Sequence, residues 1–257
     1  MKVTVCELRN EPKDLEQDWE DLVAHVKSEN SEFVLLPEMP FHPWIARTNQ
    51  IDNSKWKESV EIHERWMLRL TELEASLVAG TCPILRGSRK YNEGFVWDSL
   101  TGYHGVHRKY YLPDQADAWE ASWYERGEGD FSAIETRKGR IGFLICTELW
   151  FNAHAREYAK QEVELLVTPR ATIQASVEKW LVGGRAAAVV SGAYSLSSNF
   201  SYSNKGTMEW GGNGWIIEPE NGNVLGVTSR KHRFLTMDID LRCAQDAKQS
   251  YPRYVVD

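Results

Sequence analysis

Cysteine is sparse in this chain of 257 residues, with Cys6, Cys82, Cys146 and Cys243 far apart and no CxxC pair among them. That spacing argues against a zinc ribbon, a dithiol redox site or a disulfide framework. Free thiols in a reducing cytoplasm are the plain expectation. Long hydrophobic runs are missing too, and nothing approaches the length needed to cross a bilayer. The opening Met1-Lys2-Val3-Thr4-Val5-Cys6-Glu7 meets a charge before any signal-peptide core can form. Positive charge is also short. The 30 Lys and Arg face 37 Asp and Glu, a net charge of -7, so the totals provide no basic face for nucleic acid. The Arg230-Lys231-His232-Arg233 cluster reads as a turn on a solvated face. No repeat, low-complexity linker or composition break divides the chain, so residues 1–257 read as a single domain.

What the chain has is core. A hydrophobic fraction of 42% with 11 Trp supplies a large interior and excludes a disordered composition. Strand and helix patterns alternate along it. Val3–Leu8 reads as a strand, and Leu15, Trp19, Leu22, Val23 and Val26 recur at helical spacing. Phe33–Leu36 is a short strand stopped by Pro37. A helix over about 56–73 precedes the strand 77–81, and a hairpin pairs 94–97 with 103–107. The loop from Tyr110 to Asp130 is longer than structural connections usually are, which marks it as functional. Then come a strand at 141–145, a helix at 154–161, a strand at 165–167 and a helix at 177–190. Strands at 194–198, 215–217, 224–227 and 234–239 close the chain. The simplest architecture is one α/β domain of mixed sheets covered by helices.

Three polar residues stand directly after apolar strands: Glu38, Lys109 and Cys146. Each has an ordinary reading alone, as a surface carboxylate or cap, a solvated ammonium and an inert buried thiol. Together they suggest more, because strand ends of an α/β domain converge on one edge. A carboxylate beside a thiol is a proton acceptor, and an ammonium stabilises both the thiolate and a negative tetrahedral intermediate. A cysteine where a strand turns also brings the backbone N–H of Thr147 to bear on a bound group.

The segments Leu35-Leu36-Pro37-Glu38, Arg108-Lys109-Tyr110-Tyr111-Leu112-Pro113 and Ile145-Cys146-Thr147-Glu148 resemble the three signature segments of the nitrilase superfamily, the carbon–nitrogen hydrolases. The likeness continues through Glu120–Gly127, Val167-Thr168-Pro169, Arg185–Ala188, Ser198-Asn199 and Gly211–Gly214, in the family's order. It implies a four-layer αββα sandwich, two of which pack face to face in a homodimer or larger assembly. It implies that Glu38 is the base, Cys146 the nucleophile and Lys109 the oxyanion partner, with Glu120 orienting Lys109 and the substrate. The chemistry implied is hydrolysis of a small amide or N-carbamoyl compound through a thioester. No metal or organic cofactor is required. Nitrile hydrolysis by the same triad, or a catalytically idle scaffold of the same fold, are the alternatives.

The family usually carries an aromatic residue and an aspartate after the nucleophile, where this chain has Thr147 and Glu148. The departure bears on pocket shape rather than reaction type. Trp150–Arg156 resembles the N-carbamoyl-amine amidohydrolase branch, with Asn152 and Ala153 replacing the usual Pro and Glu. Thr147, Trp150 and Arg170 are the candidate substrate contacts, with Trp119 and Trp123 as further aromatic walls. His104 and His107 sit on opposite faces of a strand, which disfavours a metal site.

Overall fold

In the computed structural model, which describes residues 1–202 and 208–255, alternation along strand β1 (Lys2–Leu8) explains the layering. Val3 and Val5 point into one core, while Cys6 and Leu8 point into another. The neighbouring strand β2 (Phe33–Leu35) repeats the pattern, since Phe33 and Leu35 join the first core and Val34 the second. A strand buried on both faces needs cover on both. On the outer face that cover is α1 (Pro12–Glu29) and α2 (Asn53–Met67), whose apolar stripes include Leu15, Trp19 and Leu22. On the inner face it is a second sheet.

The first sheet continues through β3 (Leu77–Arg86), β4 (Arg89–Asp98) and β5 (Gly102–Arg108). A short helix α3 (Glu120–Trp123) interrupts the long loop that follows. The second sheet holds β6 (Ile134–Thr136), β7 (Gly139–Phe143), β8 (Leu165–Pro169), β9 (Tyr194–Phe200), β10 (Trp215–Ile217) and β11 (Val224–Val227). Helices α4 (Asn152–Lys160) and α5 (Val177–Ser191) pack together on its outer side. Strand β12 (Phe234–Asp238) returns to pair with β1, and α6 (Leu241–Ala247) follows it. The strand path is β5-β4-β3-β2-β1-β9-β8-β7-β6, with the halves joined where Glu7 and Leu8 pair with Asn199 and Phe200. The result is the four-layer αββα sandwich of nitrilase-superfamily structures.

Direction matters more than order for the site. Strands β2, β1, β9, β8 and β7 are parallel neighbours. Strand β5 runs the same way because two antiparallel steps separate it from β3, itself parallel to β2. Glu38, Lys109, Cys146 and Arg170 therefore all follow C-terminal strand ends at one edge, where α/β sheets hold ligands.

Several elements differ from the sequence expectations. The helix expected over 56–73 stops at Met67 and tightens into a 3₁₀ stretch, Leu68–Leu73, which stacks Leu70 and Leu73 on the core at a spacing of three. Strand β3 runs on past Thr81 and turns into β4 through Gly87 (φ 63°), a hairpin hidden because its tip, Arg86–Lys90, is polar. The strand expected at 141–145 ends at Phe143, where the chain begins the turn to Cys146. Strand β6 and helix α6 were not expected.

Candidate active site

Beyond Phe143 the chain leaves the sheet, and Cys146 opens a single 3₁₀ stretch, Cys146–Trp150. Cys146 has φ of 47°, a left-handed conformation that costs a non-glycine residue about 1–3 kcal/mol and collects at functional sites. The turn is held by Glu148. Its Oε2 accepts the Ile145 N–H at 2.8 Å, and its Oε1 accepts the Tyr110 N–H at 2.7 Å. Glu148 is thus a bracket between two strand ends rather than part of the cavity wall.

Lys109 is buried, and its Nζ donates to Glu38 Oε1 at 2.7 Å and to Glu120 Oε2 at 2.6 Å. Burial opposes the ammonium, but Glu120 and then Glu38 outweigh it and raise the pKa, so Lys109 stays charged. Glu38 is itself pushed up to about 7 by burial, against the pull of Lys109. Asn92 Nδ2 also donates to Glu38 Oε1, at 2.8 Å. Glu38 Oε2 is buried without a partner in full hydrogen-bonding geometry, although the Cys146 thiol is near enough to lower the Glu38 pKa. Burial and the Glu38 charge push the Cys146 thiol up, while Lys109 and the Ala171 backbone N–H pull it back. Tyr124 donates its hydroxyl to Glu120 Oε2, completing the ring around Lys109.

Cys146, Thr147 and Glu120 line a cavity of about 470 Å³. Trp44, Trp150 and Trp180 supply its apolar walls, and Asp114, Asp117 and Lys179 put both signs of charge on its lining. Glu38 and Lys109 lie behind Cys146 and Glu120 rather than in the lining.

The expected substrate contacts fare differently. Thr147 and Trp150 line the cavity; Arg170 does not. Arg170 is fully buried, with Nε on Ser197 Oγ (2.7 Å), Nη1 on Thr172 Oγ1 (2.9 Å) and Nη2 on the Asn213 carbonyl (2.7 Å). Neither a substrate carboxylate nor a surface one has access to it. Trp123 packs in a core cluster with Trp56 and Tyr124, while Trp119 lies at that cluster's edge. The walls expected from them come instead from Trp44 and Trp180. Sequence reasoning also missed Asn92 and His107, which act across strands and loops, and Tyr124, which reaches back one helical turn to Glu120. His104 is exposed and meets Thr101, whereas His107 is buried against Glu148.

Comparison with known proteins places the chain in a family. Citrullinase of Francisella tularensis is 26% identical over 179 residues, which cover 66% of this chain and 61% of that protein, under two thirds of its length. Omega-amidase of Mus musculus is 24% identical over 237 residues, covering 90% of this chain and 84% of that one. The crystal structure of a carbon-nitrogen hydrolase from Helicobacter pylori shares the fold, with a TM-score of 0.87 at 19% identity over 98% of this chain and 94% of that one. Residues 2–249 match the carbon-nitrogen hydrolase family along nearly the whole sandwich, and the chain belongs to that family, within the nitrilase superfamily.

Proposed function

We propose that this protein hydrolyses the carbon–nitrogen bond of a small amide or N-carbamoyl compound through a thioester on Cys146. The observation that carries the reading is the buried Lys109 ammonium, held by two carboxylates at 2.7 and 2.6 Å beside a thiol on the cavity floor. Burying such a cluster is costly unless chemistry needs it. Glu38, with its pKa pushed up to about 7, suits a base that accepts and returns a proton near neutrality.

In this reading Glu38 takes the thiol proton and the thiolate attacks the carbonyl carbon. Lys109 and the Thr147 backbone N–H hold the oxyanion that develops. The C–N bond breaks as Glu38 returns the proton to the departing amine or ammonia, leaving an acyl thioester. Glu38 then removes a proton from water, whose oxygen attacks the thioester, and the Cys146 sulfur leaves and recovers that proton. Glu120 orients Lys109 throughout. Thr147 and Trp150 contact the substrate.

Amide and ureido substrates are favoured over nitriles by the relatives' names, citrullinase and omega-amidase. The free thiols fit a reducing cytoplasm. Exposed Phe151 before α4 and Val182 on α5 favour pairing of two units through that helical layer. Assaying ammonia release from a panel of amides, N-carbamoyl compounds and nitriles tests the function. An N-carbamoyl substrate also yields carbon dioxide, whereas a nitrile yields acid and ammonia alone. Turnover of nitriles in preference to every amide and ureide would overturn the substrate reading.

A further inference from the structure

The two oxygens of the Glu38 carboxylate stand in unequal surroundings. Lys109 Nζ donates to Oε1 at 2.7 Å, and Asn92 Nδ2 donates to the same oxygen at 2.8 Å. Oε2 is buried and, among the described residues, has no partner in full hydrogen-bonding geometry. Asn92 is buried as well, and its Oδ1 is also without a partner among the described residues. An unpaired buried acceptor is unfavourable, and an apolar side chain of similar shape would avoid it. Turning the amide over gives no relief, because Oδ1 would then meet a carboxylate oxygen, acceptor against acceptor.

The fold places this amide firmly. Asn92, Gly94 and Val96 share the inner face of β4, because side chains alternate along a strand. A Cβ at Gly94 would stand 2.9 Å from the Phe143 ring, so the two sheets close tightly beside Asn92. Phe143 ends β7, the strand that leads to Cys146. The main chain of Asn92 serves a second member of the site, since its carbonyl accepts the Lys109 N–H at 3.0 Å. Asn92 thus touches Glu38 with its side chain and Lys109 with its backbone.

We infer that Asn92 is a positioning residue of the reaction: with Lys109 it anchors the Glu38 carboxylate through Oε1, so that Oε2 is the oxygen that exchanges the proton with Cys146. A carboxylate tied through one oxygen does not rotate about its Cγ–Cδ bond, and the same lone pair is presented in every proton transfer. The S–H proton passes to Oε2 as sulfur bonds to the carbonyl carbon. It leaves Oε2 for the departing nitrogen as the C–N bond breaks. This inference rests on the reading of Glu38 as the base.

The test is the pH profile of kcat/KM for wild type, Asn92→Leu and Asn92→Ala, with the amide or N-carbamoyl compound that the wild type turns over best. Both substitutions remove the donor to Oε1 and keep the backbone carbonyl that holds Lys109. The other charged and titratable groups facing Glu38 are Lys109 after β5, Glu120 and Tyr124 at α3, and Cys146 after β7. Substitution at 92 leaves each of them in place. A hydrogen bond to the charged form lowers a carboxylate pKa, so its loss should move the acid limb up by about one pH unit. At pH 7 kcat should then fall about fivefold with KM little changed. Should Asn92→Leu not fold, Asn92→Ala, which leaves only a small cavity, decides in the same way. A folded variant whose limb stays at the wild-type pH would overturn the inference, whatever its stability in urea. A wild-type profile without a limb that Glu38→Gln removes would instead sink the base reading, and this inference with it.

Discussion

The His107 imidazole and the Glu148 carboxylate meet at 2.8 Å in the interior, tying the strand end that carries Lys109 to the turn that carries Cys146. His107 Nδ1 faces the Asp130 carbonyl at 2.9 Å, so both ring nitrogens sit on acceptors, an arrangement that favours the imidazolium. His107 and Lys109 share a face of the chain because they are two positions apart. Through Glu148, the Tyr110 and Ile145 N–H groups are held by a single side chain.

Removing one partner of this pair leaves the other charge buried. Glu148→Ala is expected to cost roughly 3–5 kcal/mol in urea unfolding and to lower kcat by loosening Lys109 against Cys146. The pH dependence has a definite sign. Burial opposes charge on His107, but Glu148 prevails and its pKa is raised. The stabilisation is therefore complete below the unfolded value of about 6.5 and is lost as pH rises through the folded value. The Tm gap between wild type and His107→Gln should be widest near about pH 6 and narrow on the alkaline side.

Glu38, the proposed base, is expected to govern the acid limb of activity. With its pKa pushed up to about 7 by burial, kcat/KM should rise as pH passes through that value and the carboxylate forms. Glu38→Gln should lose roughly 10²–10⁴-fold in kcat/KM and show no such limb. A pH–rate profile with a good amide substrate measures both.

Gly127 fixes Lys109 from the loop side. Its N–H donates to the Lys109 carbonyl at 2.9 Å, and a Cβ there would stand 2.2 Å from the Arg108 carbonyl oxygen. Backbone cannot yield as a flexible side chain can. Gly127→Ala is expected to cost about 1–3 kcal/mol in chemical denaturation and to reduce kcat as Lys109 shifts.

Trp150 is the cavity wall most open to change. It is partly exposed and its ring lies tilted against Trp180, with ring centroids 4.9 Å apart. Trp150→Ala should raise KM more than it lowers kcat, because it removes substrate contact without touching the proton relay. Initial-rate kinetics distinguish the two parameters.

The convergence of Glu38, Lys109 and Cys146 on one edge is legible in the sequence because each follows a short apolar strand, and strand direction does the rest. The double-sided burial of β1 is legible in Val3-Thr4-Val5-Cys6, whereas the four layers themselves come from family resemblance. Most of what escaped has no local signal. Asn92 reaches Glu38 from the middle of a hairpin that polar residues obscure. Tyr124 and His107 matter through partners 4 and 41 positions away, respectively. Arg170 reads as a candidate substrate contact because nothing near Thr168-Pro169 records that Ser197, Asn213 and Trp215 will close over it.

The covalent step is the centre of this account, and mass spectrometry during turnover tests it most directly. An amide substrate quenched in mid-reaction should leave the mass of its acyl group on the Cys146 peptide of the wild type. The Cys146→Ala protein, folded and with wild-type secondary structure, should carry no adduct and release no ammonia. Hydrolysis at the wild-type rate by Cys146→Ala would contradict it.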